Sequence, residues 1–325
     1  MKKLLLLVLM VSLAFSLYAA GEGEQAGSQR DFPSRPVRIV NYVAPGGLMD
    51  LTTRKFVEIA KKYSDATFVI ENQVGAGGII GMDYVLQRPA DGYTIFAATS
   101  NNPITVISGG HDQDKYLWGF EWFANLMVDA EAVITNKNLP INDFADVVKD
   151  GKAKNGAQIW VGPSAGGNDH IVGMRIWEAV GMEAVWVPFT SGPLAMNALL
   201  GGQGVAYVGN AADTVGRPDL KVAAVSNPTR LKAFPDAPTF GELGYPELDN
   251  MIMWRGFAVK KGAPREAVQW WQNLVQQVTD DAEWISYHEN IGIQVVNWGT
   301  EKYEAHMKEE NAATTVFLKK VGIIN

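Results

Sequence analysis

Residues 37 to 98 alternate short apolar runs with glycine-led helical segments, and this order restricts the fold more than any other feature of the chain. An apolar run over 37–43 reads as a strand, and Gly46-Gly47 leads into a helix over about 49–63. A second strand lies at 67–71, after which the turn Gly75-Ala76-Gly77-Gly78 opens a helix that must end before Pro89. Asp91-Gly92 forms the next turn, and 93–98 supplies a third strand. A βαβαβ order of this kind predicts an α/β fold, a mainly parallel sheet flanked by helices.

The pattern continues with a strand at 158–161, a helix at 168–180, a strand at 184–189 and a helix at 193–200 stopped by Gly201-Gly202. Short strands are expected at 205–208 and 221–226. Pro228, Pro235, Pro238 and Pro246 then mark an irregular stretch, and 254–259 reads as a strand returning to the first half. Val268, Trp271, Val275 and Val278 share one face of a helix that starts after Pro264. A last helix carries Tyr303, Met307 and Phe317-Leu318, with Thr300 as its expected cap. Trp270, Trp271 and Trp284 are expected to pack in the core or in a groove.

Lys2 and Lys3 precede an apolar run over 4–17 that is shorter than the roughly 20 residues of a spanning helix, and small residues follow at Ser16, Ala19 and Ala20. Residues 1–20 therefore read as a signal peptide and 21–30 as a flexible polar leader, which places the mature chain outside the cytoplasm. The chain has no cysteine, so disulfides, thiol catalysis, cysteine metal sites and a lipoprotein anchor are excluded. Stability must come from a core, and 47% apolar residues with ten tryptophans can supply one. The net charge of −7 is scattered, without the basic stripe that a phosphate backbone requires, so nucleic acid is not an expected partner. The remaining length suffices for two lobes.

Three glycine-rich loops each follow a strand and open a helix: Ala44-Pro45-Gly46-Gly47, Ser164-Ala165-Gly166-Gly167-Asn168 and Thr190-Ser191-Gly192. Helix starts present unpaired N–H groups and the positive end of the dipole, which together favour an anion. Loops of this kind gather at the carboxyl ends of parallel strands. None of the three contains lysine or arginine, which favours a carboxylate over a multiply charged phosphate. Asp50, in the turn after Gly46-Gly47, either caps its helix or accepts a donor from the ligand. His170, beside the second loop, either contacts the ligand or shapes the loop. Ser100, Asn101 and Asn210 are further ligand-binding candidates.

Enzyme motifs are weaker. Gly162-Pro163-Ser164-Ala165-Gly166 fits the G-x-S-x-G pattern, making a secreted serine hydrolase the alternative. The helix should begin directly after the serine, yet Gly166-Gly167-Asn168 intervene. The loop at Gly75 misses the dinucleotide fingerprint at Ile80. His111, His170, His288 and His306 never pair at helical spacing, so neither a metal nor another cofactor is expected.

The residues Phe32-Pro33-Ser34-Arg35-Pro36-Val37-Arg38-Ile39-Val40, then Val43 to Gly47 and Asp50, resemble the opening of the tripartite tricarboxylate transporter substrate-binding proteins, the Bug receptors. Val69-Ile70-Glu71-Asn72, Asp91-Gly92-Tyr93-Thr94, Val187-Pro188-Phe189, Ala198-Leu199-Leu200-Gly201-Gly202 and Pro235-Asp236-Ala237-Pro238-Thr239 extend the resemblance over residues 31–325. It implies a two-lobed type II periplasmic-binding-protein fold, a Venus flytrap, that closes on a small organic carboxylate and delivers it to membrane permease subunits. A receptor that presents its ligand to a sensor protein is a further alternative. The resemblance places the carboxylate between Ala44–Gly47 with Asp50 and the loop Ser164 to His170. Thr190, Ser191, Gly204-Val205 and Asn168-Asp169 depart from the family pattern, on the side that reads the rest of the ligand.

The first lobe is expected to comprise 31–131 and 254–325, and the second 132–253, with hinge crossings near Val133-Ile134 and Trp254. Ser191, Gly192 and Asn210 are second-lobe contacts in this reading, and a periplasmic monomer is expected.

Overall fold

The computed structural model describes residues 32–325. The expected signal peptide and leader lie outside the described residues. The elements run β1 (Val37–Asn41), α1 (Leu48–Ala60), β2 (Phe68–Asn72), α2 (Ile79–Leu86), β3 (Thr94–Thr99), α3 (Asn101–Ser108), the short α4 (Gln113–Tyr116) and β4 (Phe120–Asn136). They continue with α5 (Phe144–Lys154), β5 (Ile159–Pro163), α6 (Asn168–Val180), β6 (Val185–Phe189), α7 (Gly192–Leu200), β7 (Ala206–Asn210) and β8 (Leu220–Val225). The last are β9 (Ile252–Lys260), α8 (Arg265–Thr279), α9 (Ala282–Glu289), β10 (Gln294–Gly299) and α10 (Thr300–Lys320).

Two parallel blocks form as the βα alternation predicts. β1 pairs in parallel with β2 and β3, and β5 with β6 and β7. The strand expected at 254–259 is present as β9, but the antiparallel pairing between the blocks and the strands β4 and β10 were not anticipated. β9 lies between β3 and β4, and β10 adds to β4. The 17-residue β4 pairs with β9 over Phe120 to Ala130 and with β7 and β8 from Glu131 onward. One strand therefore runs from the first block into the second, and the change of partner falls between Ala130 and Glu131.

Each block has its own apolar packing. Under the first, Trp122, Trp254 and Tyr303 meet edge to face, with ring centroids 5.9 and 5.1 Å apart from Trp122 to Trp254 to Tyr303. Each fully buried ring of this size is worth roughly 1.5–3 kcal/mol. Gly256 permits this packing, because a Cβ there would lie 2.7 Å from the Tyr303 hydroxyl and 2.5 Å from the Ala124 carbonyl. In the second block, Trp160, Trp177 and Phe240 fill one face and Val161, Met196 and Tyr207 the other.

The predicted face of α8 is buried at Val268, Trp271, Val275 and Val278. Trp271 also donates to Gly92 O (2.9 Å), and Trp284 packs edge-on to Phe56. The expectation for Thr300 is corrected. Gly299 is the cap of α10, and the Thr300 hydroxyl instead accepts from Gln272 Nε2 (2.9 Å). Among the described residues no helix is long and apolar enough to cross a membrane.

Candidate functional site

The first loop is held from below by Asp50. Its carboxylate accepts Gly46 N–H (2.9 Å), Arg54 Nε (2.8 Å) and Asn72 Nδ2 (3.0 Å). Burial pushes this carboxyl up, but the bonds from Arg54, Gly46 and Asn72 outweigh it and keep Asp50 below the usual range. The capping role expected of Asp50 is not seen, since α1 has no side-chain cap bond; the carboxylate instead ties Gly46 to Arg54 and Asn72. Gly46 takes φ +83°, a region glycine enters without penalty, which turns the chain into α1 behind Gly47. Ala44, Pro45 and Gly46 are exposed above the helix start.

The second loop approaches α3. Asn168 N–H, the first amide of α6, donates to Asn101 Oδ1 at 3.2 Å, and Ser108 Oγ donates to Gly166 O at 3.0 Å. Gly167 caps α6 without a side chain of its own, and a Cβ there would lie 2.6 Å from Asn101 Oδ1. An uncharged amide oxygen therefore occupies the electropositive helix start. Ser164 (φ +45°) and Gly166 (φ +73°) both take left-handed backbone to make the turn. His170 Nδ1 accepts Gly166 N–H (3.0 Å), which assigns the proton to Nε2, and the ring stacks on Trp186 with centroids 4.9 Å apart. Burial pushes His170 down to about 4, so it is neutral near pH 7 and shapes the loop.

Ser191 precedes α7 as its cap, with no side-chain bond to the helix. Gly192 packs against the Tyr207 hydroxyl, which donates to Asp213 Oδ2 (2.8 Å). Asn210 joins this group, its N–H donating to Asp213 Oδ2 (3.2 Å) and its Oδ1 accepting Arg255 Nη2 (2.9 Å). Ser100 is fully buried at the start of α3, and its N–H donates to Trp254 O (3.2 Å).

Sequence reasoning missed the charged group that these elements surround. Asp129 and Glu131 stand two apart on β4 and so share a face. Asp129 Oδ2 accepts Arg255 Nη1 from β9 (3.2 Å), and Glu131 Oε1 accepts Asn168 Nδ2 (2.5 Å). Asp213 lies close enough to raise Asp169, and both raise Glu131. Burial, opposed by Arg255, pushes Asp129 up to about 7. Burial with the Asp169 and Asp129 charges raises Glu131, and burial with the Asp213 charge raises Asp169. The available signal was an Asp and a Glu inside an apolar 17-residue run, and an Arg inside the apolar run of β9.

Residues 53–323 match the family described as the tripartite tricarboxylate transporter family receptor. The chain belongs to this family. BugT of Bordetella pertussis is 28% identical over 222 residues, covering 66% of this chain and 68% of BugT. The periplasmic binding protein BugD superposes with a TM-score of 0.80 at 25% identity, over 90% of this chain and 99% of that one. MatC from Rhodopseudomonas palustris, solved with bound malate, superposes at 0.79 with 20% identity, over 88% of this chain and all of that one.

Membership makes the protein a solute-binding receptor of the two-lobed periplasmic-binding-protein fold and not an enzyme. The geometry of the Ser164 motif agrees. α6 begins four residues after Ser164, and the neighbouring His170 spends Nδ1 on a backbone N–H of the loop.

Proposed function

We propose that this receptor binds a small organic carboxylate outside the cytoplasm, between two lobes, and delivers it to the permease subunits of a tripartite tricarboxylate-type transporter. The first lobe comprises 31–131 and 254–325, the second 132–253, and the chain crosses near Val133-Ile134 and Trp254. The observation that carries the reading is the start of α6, where Asn101 Oδ1 accepts Asn168 N–H as a ligand carboxylate oxygen would. The starts of α1 and α7, each without a side-chain cap, offer further amides of the same kind. Malate in MatC supports the ligand class.

In this reading Ala44 to Gly47, Ser100 and Asn101 receive the ligand from the first lobe. Ser164, Gly166, Gly167, Asn168, Ser191, Gly192 and Asn210 receive it from the second. Asp50 and His170 hold two of the loops in shape. Ligand contacts to both lobes favour their closed arrangement. Calorimetric titration of mono-, di- and tricarboxylates against their neutral amides tests the ligand class. Loss of uptake of the bound acid on deletion of the chain tests delivery.

A further inference from the structure

The group set out above gathers the buried acids Asp129, Glu131 and Asp169 with the half-buried Asp213, which a carboxylate ligand does not explain. Asp129, Glu131, Asp169 and Asp213 surround Arg255, which is 2% exposed and, among the described residues, supplies the only positive charge that bonds to these carboxylates. Arg217, from the turn after Asp213, gives its Nη1 to Asp213 O, a carbonyl rather than a carboxylate. Tyr207 uses its hydroxyl hydrogen on Asp213, and Tyr42 shares its own with Thr99 (2.6 Å).

Four buried polar atoms of this group have no protein partner. Asp129 Oδ1 and Glu131 Oε2 are acceptors, on side chains 1% and 0% exposed. Ser100 Oγ and Asn210 Nδ2 are the others, on side chains 0% and 4% exposed. A buried polar group without a partner forfeits its hydration, and an ionised one forfeits more. These atoms come from β4, the start of α3 and the end of β7, so they surround the same junction as the start of α6.

We propose that the ligand carries a primary ammonium group in addition to its carboxylate, and that Asp129 and Glu131 receive this group. The inference rests on the carboxylate reading above. An ammonium has three N–H donors and no acceptor, which suits two unpartnered carboxylate oxygens and the Ser100 hydroxyl. Its charge offsets the excess of acid that one guanidinium leaves, and its bonds to carboxylates are of the stronger, charge-assisted kind. A metal ion is the poorer occupant, because among the described residues no three His, Cys, Asp or Glu side chains are placed to hold one. A carboxylate alone would add a further negative charge beside Glu131 and bind only with proton uptake. The raised positions of Glu131 and Asp169 fit a group of acids that shares too few cations.

The test is calorimetry of the mature protein at pH 7.5 with matched pairs: aspartate and succinate, glutamate and glutarate, alanine and propionate. The expected result is that the amino member of one pair binds at least about tenfold more tightly than its partner, since a site built for a polar group rejects the analogue that lacks it. Glu131→Gln, with Asp129→Asn/Glu131→Gln as the stronger variant, should reduce that preference to below about threefold, because each removes a charge-assisted acceptor. Equal or tighter binding of the desamino acid to the unmodified protein overturns the ammonium assignment and leaves the carboxylate reading intact. A preference that survives in both folded variants overturns the role of Asp129 and Glu131. If no acid binds, in these pairs or in the wider carboxylate panel, both readings fall together.

Discussion

Asn101 and Asn168 are joined across the molecule, with the amide oxygen of one accepting the backbone N–H that opens the helix of the other at 3.2 Å. They are 67 positions apart in sequence. Gly167 makes the contact possible, because any side chain there would collide with Asn101 Oδ1. The electropositive start of α6 is thus presented to the opposite lobe in the proposed two-lobe arrangement.

Gly167→Ala tests that contact without straining the backbone, since Gly167 already has φ −85°. The added Cβ should push Asn101 away and disfavour closure. Losing one hydrogen bond of about 1 kcal/mol should weaken binding of the natural carboxylate by roughly fivefold. Small-angle scattering should give a larger radius of gyration for the variant. Unchanged affinity and radius would show that the contact does not contribute to closure.

Asp50 and Arg54 should respond unequally to truncation. Asp50 is 1% exposed and supports Gly46, Asn72 and Arg54 together, so Asp50→Ala should cost about 2–3 kcal/mol. Arg54 is 52% exposed, and Arg54→Ala should cost under about 1 kcal/mol. Thermal melting should separate the two by several degrees. Equal losses would mean that the ion pair, and not the loop bonds, holds the site.

Much of this apparatus was legible in the chain because turns and helices punctuate it. α6 runs over Asn168–Val180, the range expected for the helix that the glycine loop opens. The parallel strands also fall where their apolar runs lie. β4 was not legible, because its 17 residues have no turn residue to mark the change of partner at Glu131. Asp129, Glu131 and Arg255 were missed for a related reason. Their significance depends on β4, β9 and the start of α6 meeting in space, which residue spacing along one element does not report. His170 and Asp50 were found, but the loop bonds each makes, to Gly166 and to Gly46, are displayed only by the folded chain.

The pH dependence of the ligand-free protein should bear the mark of the buried acids. Asp129 and Glu310 are each pushed up to about 7, mainly by burial, and Glu131, Asp169 and Asp213 are raised as well. A carboxyl raised in the folded state takes up a proton on folding, so its stabilisation is complete at low pH and is lost as pH rises through about 7. His170 and His288, each lowered to about 4 by burial, act in the opposite sense, but only below the unfolded histidine value of about 6.5. Between pH 6.5 and 8 the acids therefore dominate, and the melting temperature should fall as pH rises. Asp129→Asn/Glu131→Gln should flatten that slope. A melting temperature constant or rising over this window would contradict the assignment of buried, proton-sharing acids.

The most direct test of the central claim is the melting temperature of the mature protein with a panel of small mono-, di- and tricarboxylates, amino acids included, each paired with its neutral amide. A ligand at a thousand times its dissociation constant adds about 4 kcal/mol to stability. At roughly 2–4 °C per kcal/mol, that shift is readily seen. The account predicts that at least one acid raises the melting temperature by this order while its amide does not. A panel in which amides stabilise as well as their acids, or in which no acid stabilises the protein, would contradict a carboxylate held at helix starts between two lobes.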